Sequence, residues 1–152
     1  VNTLSLEDKA LLNSLIDNEY NFIDQYNIPL LIHAEGENLT GHYDVVGGQI
    51  DILPTVANLV GLSLDHFIHF GQDLLNSENN LFGMRYYMPY GSFFYNDTVY
   101  ITQTSYEDGV GYYINSRELI PTTVDLSDEY TRIMQLLELN DQYLHSLPVR
   151  TD

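Results

Sequence analysis

Residues 28–36 read IPLLIHAEG, residues 47–61 read GGQIDILPTVANLVG, and residues 70–75 read FGQDLL. These three segments decide the fold. Residues 28–33 form a short apolar run after a polar approach, the pattern of a buried strand, with Pro29 at its start or on an edge. Four glycines, Gly36, Gly41, Gly47 and Gly48, mark the loop that follows. Asp51 is positioned to cap a helix whose first turn holds Pro54, where a missing N–H costs little. Ile52, Val56, Leu59 and Val60 share one face of that helix, and Gly61 ends it. A second helix is expected after it. Strand, loop and helix in this order suit one unit of an α/β sheet.

Outward from this stretch, Ser5 is a helix cap with Glu7 and Asp8 in the first turn. Leu6, Ala10, Leu11 and Ile16 then give a helical face over residues 6–17. Residues 18–27 show no clear period. After Asn80 the composition shifts to Tyr, Phe and Thr in short alternating runs. Residues 92–95 and 98–103 flank the turn pair Asn96-Asp97, and Asp108-Gly109 precedes residues 112–115. The pattern predicts a three- or four-stranded antiparallel meander. Asp125 or Ser127 caps a last helix that buries Tyr130, Ile133, Met134, Leu137 and Leu144, covers the meander and stops at Pro148. Two parts are therefore expected, residues 1–80 and residues 81–152.

The composition narrows the function. The chain has 152 residues, the length of one domain, and 44% are hydrophobic, enough for an ordinary core. Five Lys and Arg stand against 22 Asp and Glu, a net charge of −17. No basic patch offsets it, so no nucleic acid partner is expected and anionic lipid surfaces repel the chain. There are no cysteines, which excludes disulfides and thiolate chemistry. No apolar run reaches the roughly 18 residues of a membrane span.

Four segments in fixed order resemble one family. The pieces are LLIHAEG at 30–36, Tyr43 with Gly47-Gly48 leading into QIDILPT at 49–55, the apolar helix ending at Leu59 and Gly61, and Phe70-Gly71 with Asp73-Leu74. They are similar to the late part of the catalytic domain of sulfatase-like enzymes, closest to the lipoteichoic acid synthases. Beyond Asn80, Arg85 and Gly91-Ser92-Phe93 loosely resemble a further family segment, Arg-x-Gly-Asp-Phe. The resemblance implies an α/β fold: the C-terminal fragment of a sulfatase-like sheet sandwiched by helices, then a small antiparallel meander with a C-terminal helix.

It further implies a phosphoglycerol transferase, extracellular or on the outer membrane face, that polymerises glycerol phosphate from phosphatidylglycerol. In that family a threonine nucleophile and a divalent metal, usually manganese, do the chemistry. Those residues are expected before Val1, so the fragment alone is expected to be inactive and to bind no metal. Its expected partners are the upstream catalytic half, an anionic lipid or glycerol phosphate substrate in the parent, and a second copy through self-association. The usual Ile-Pro after the strand histidine is replaced here by Ala34-Glu35, a departure from the family pattern.

His33, at the strand's C-terminal end, and His42, in the glycine-rich loop, are the two candidate substrate contacts. Each also reads as an ordinary loop histidine. His66 and His69, three apart, share a helix face and could begin a metal site with Asp65 or Asp73, although the family pattern uses neither. Glu35, Glu37 and Asp44 could pair for acid–base work, or simply be solvated. The 13 Tyr and 6 Phe suit either a meander core or a wall-polymer or protein binding surface. Hydrolysis of sulfate or phosphate esters is the remaining alternative.

Overall fold

The computed structural model describes residues 5–16, 19–33, 35–36 and 40–149, which pack as two compact units, residues 1–40 and residues 41–152. In the first unit, helix α1 (Leu6–Ile16) starts as the sequence predicts. Ser5 Oγ accepts the Asp8 N–H at 3.1 Å and donates to Asp8 Oδ2 at 2.6 Å. A 3-10 turn (Asp24–Tyr26) follows, with Ile23 buried beside it. The helical face is not buried as expected: Leu6, Ala10 and Leu11 are exposed. The side chain of Ile16, and Asp17 and Asn18, lie outside the described residues.

Residues 28–33 depart from the sequence reading. They are irregular, and Ile28, Leu30 and Leu31 face solvent. A strand exists only where a neighbour takes its N–H and C=O groups. Among the described residues no strand pairs with this segment.

In the second unit, the 3-10 turn Gln49–Asp51 runs directly into helix α2 (Ile52–Leu59). Gly61 ends it with a positive φ of 69°. The Leu62 N–H bonds Ala57 O at 2.8 Å and the Gly61 N–H bonds Asn58 O at 3.1 Å, the paired geometry of a glycine-terminated helix. The second helix expected after α2 does not form; residues 64–76 are turns and irregular chain. Side chains claim the N–H groups that such a helix would use. Asp51 takes that of Gln72, Thr55 that of Leu74 and Asp73 that of Leu75.

The meander is present with four strands, β1 (Leu81–Gly83), β2 (Phe93–Tyr95), β3 (Thr98–Ile101) and β4 (Val110–Tyr113), in the order β1-β2-β3-β4, each antiparallel to the next. Tyr95 pairs with Thr98, so Asn96-Asp97 is the two-residue turn, and Asn96 takes the left-handed conformation (φ 51°). Helix α3 (Ser127–Ser146) lies across β1 and β2. Asp125 Oδ1 accepts the Ser127 N–H at its start.

Leu81, Phe93, Leu126 and Ile133 are the centre of the core, and Tyr130 and Leu137 pack on them. The aromatic alternation has a core role: Phe93, Tyr100, Tyr106 and Tyr130 stack in series at 5.0–5.5 Å between ring centres. Leu144, expected on the buried side of α3, is instead 53% exposed. The segment before residue 80 is tied to the meander. Asn80, buried, bonds Val46 O and Asp51 through its side-chain amide and pairs with Asn96 on the other side.

Candidate functional site

The polar centre of the second unit is Asp51, which is fully buried. Read from sequence as the cap of α2, it does not bond that helix's own N–H groups. The helical path begins three residues earlier, so Asp51 is its third residue and reaches back to the Gly48 N–H at 2.7 Å. Its Oδ2 also accepts Asn80 Nδ2 at 2.8 Å, and its Oδ1 accepts the Gln72 N–H at 2.7 Å. Thr55, one turn on, donates to Asp51 O at 2.6 Å and accepts the Leu74 N–H at 3.0 Å. Every protein donor to the carboxylate is neutral. The cluster is buried and braces three chain segments, around residues 48, 72–74 and 80.

Gly71 shows why FGQDLL carries a glycine there. A Cβ on it would fall 2.0 Å from Ile50 O. That carbonyl would ordinarily bond the N–H four residues on, which is Pro54 and has none. The backbone of residue 71 occupies the space beside it. Gly47 and Gly48 similarly lie against the side chains of Leu74 and Phe82.

The predicted site residues are placed as follows. His33 is exposed in the first unit. His42 is exposed in the second, with Nε2 3.0 Å from Asp44 Oδ1. His66 and His69 do not share a helix face, because no helix forms there; His69 Nδ1 instead donates to Gly71 O at 3.2 Å. Asp65 is exposed, and Asp73 is engaged with the Leu75 N–H and Asn76 Nδ2. Among the described residues no group of three His, Asp or Glu could hold a metal ion. Glu35 is exposed, Asp44 is taken by His42, and Ala34 and Glu37 lie outside the described residues.

Three features escaped the sequence reading. Arg85 forms a two-pronged pair with Asp141 of α3, the Nη2–Oδ2 leg at 2.8 Å, and lies 5.6 Å from the centre of the Tyr90 ring. The guanidinium holds the Asp141 carboxyl below its ordinary range. Only the loose Arg85 resemblance hinted at this tie. An open groove of about 570 Å³ runs between residues 68–71 and α3, lined by Ile68, Phe70, Leu136, Leu139 and Tyr143. Finally, Tyr86, 90% exposed, and Tyr87 stand out from the loop after β1.

No family model matches the chain. Over 94 residues it is 32% identical to the lipoteichoic acid synthase-like protein YvgJ of Bacillus subtilis, a match covering 60% of this chain and 15% of that one. Over 127 residues it is 27% identical to lipoteichoic acid synthase 1 of the same organism, covering 84% and 18%. The crystal structure of the lipoteichoic acid synthase LtaP from Listeria monocytogenes superposes with a TM-score of 0.68 at 37% identity, over 76% of this chain and 28% of that one. The chain thus spans less than a fifth of the curated relatives it matches.

Proposed function

The chain is lipoteichoic acid synthase-like in sequence and in its α/β fold, and on that premise we propose that it is the scaffold-forming C-terminal part of an extracellular phosphoglycerol transferase. The observation that carries this reading is the 37% identity maintained over a superposition of 76% of the chain. The nucleophile and a divalent metal, manganese in our reading, belong to the part of such a synthase that this chain does not span. The described residues offer no donor set for an ion, so no step is assigned to a metal here. The chain's own contribution is to brace the loop 41–48 through Asp51, Asn80 and Gly48. His42 on that loop, and His33 in the first unit, are the residues we assign to contact with glycerol phosphate.

Incubating the chain with manganese and phosphatidylglycerol is expected to give no turnover. Turnover that survives purification and is lost in His33→Ala would overturn the scaffold reading. A second reading, binding of glycerol phosphate polymer, is favoured by the outward Tyr86 beside Tyr87. It predicts saturable binding that Tyr86→Ala weakens; a flat titration removes it.

A further inference from the structure

The turn between β2 and β3 reaches across the second unit toward the loop that carries His42. Asn96 in that turn has a left-handed backbone (φ 51°), which glycine adopts at no steric cost. Glycine would serve the turn at least as well; what asparagine adds is its side chain. Asn96 Oδ1 accepts the Asn80 N–H at 3.2 Å, and the Asn96 N–H donates to Asn80 O at 3.1 Å. Residue 80, just ahead of β1, is thus clamped against the turn.

Asn80 carries this hold onward. It is buried, and its side-chain Oδ1 accepts the Leu81 N–H at 3.0 Å. Nδ2 donates to Val46 O at 3.0 Å and to Asp51 Oδ2 at 2.8 Å, so both its hydrogens are engaged. The same Asp51 oxygen takes the Gly48 N–H at 2.7 Å. Gly48 also lies close against β1, where a Cβ would come 2.9 Å from the Phe82 ring. The loop is therefore gripped at Val46 and Gly48, while residues 41–44 are exposed. His42 stands four residues before that grip. If residue 80 tilts, its amide loses Val46 O and Asp51 together.

We infer, resting on the function proposed above, that Asn96 and Asn80 are positioning residues for His42. The turn holds residue 80, residue 80 holds Val46 and Asp51, and these hold the loop that presents the imidazole to glycerol phosphate. Neither asparagine touches the ligand. The meander is thereby part of the machinery of the loop rather than a module beside it.

Two substitutions separate the side chain of Asn96 from its backbone. Asn96→Gly keeps the turn and removes the acceptor; Asn96→Asp keeps the acceptor and tolerates the left-handed backbone. Each is made in the 152-residue chain and compared with the unmodified chain by amide hydrogen exchange, by NMR of the His42 ring and by titration with glycerol phosphate. In Asn96→Gly the Gly48 N–H is expected to exchange about tenfold faster, the scale of one lost hydrogen bond, with the amides of β3 and β4 protected as before. The His42 ring signals are expected to shift, and glycerol phosphate to bind about tenfold more weakly. Asn96→Asp is expected to match the unmodified chain in all three.

Unchanged Gly48 exchange and unchanged His42 signals in Asn96→Gly overturn the inference. Equal loosening in Asn96→Asp overturns it too, because the acceptor is then not the link. Protection lost evenly through β3 and β4 overturns it in favour of general instability. Glycerol phosphate held equally well by a loosened Asn96→Gly loop sinks the positioning role while the His42 contact stands. If the unmodified chain binds no glycerol phosphate, the contact assigned to His42 falls instead, and Gly48 exchange with the His42 signals decides the coupling.

Discussion

At the scale of single residues, Asp51 dominates. Its carboxylate satisfies three N–H donors in a buried place, and Asp51→Ala would leave them unsatisfied. Loss of about 3 kcal/mol or more is expected, read as a lower urea midpoint with an unchanged slope. Asp108 shows a pH effect of known sign. Its carboxyl is lowered from 3.8 to about 2 by the Thr104 hydroxyl and then by the N–H groups of Ser105, Gln103 and Thr104. Between these values the unfolded chain binds the proton and the folded chain does not. Asp108 therefore contributes stability above about pH 4 that is lost as pH falls toward 2. Thr104→Val should lower the melting temperature at neutral pH and flatten its fall between about pH 4 and pH 2, so that the two proteins converge at the acid end.

Ser5 and Gly61 were legible in the sequence because their partners lie within a turn or two of the chain. Asp51 was misread because its partners lie 21 and 29 residues away. The irregular path of residues 72–74 has the same origin. Thr55 and Asp51 capture N–H groups far along the chain, which no local pattern displays.

At the scale of elements, α3 and the sheet hold each other through Ile133, which is 1% exposed and packs beside Gly83. Ile133→Ala should cost about 3 kcal/mol through lost burial and a residual cavity, measured by calorimetric or urea unfolding. Leu144→Ala, on the exposed last turns, should cost far less. The meander and its helix were legible because each carries its own period, two for strands and 3.6 for the helix. The run at residues 28–33 carries the same apolar signal, and among the described residues no strand pairs with it. Hydropathy shows that a segment is suited to burial, and only pairing makes it a strand.

At the scale of the whole molecule, charge sets the response to solvent. Twenty-two acids against five bases repel one another in any compact state. Raising salt from about 0.01 M to 0.15 M shortens the screening length from about 30 Å to about 8 Å. The melting temperature should rise across that interval, and a fall would show that attractive pairs such as Arg85–Asp141 outweigh the repulsion. Near the isoelectric point of about 4.2 the protection against association disappears, so turbidity should peak there.

The strand order β1-β2-β3-β4 has a consequence in time as well as in space. Each strand finds its neighbour in the next one to leave the ribosome, so the sheet can zip up progressively during synthesis, before α3 is available. Helix α3 then arrives as a late clamp. Stopped-flow measurements on Ile133→Ala should accordingly show faster unfolding with a refolding rate close to that of the parent chain. A proportionate drop in the refolding rate would instead place the clamp inside the folding nucleus.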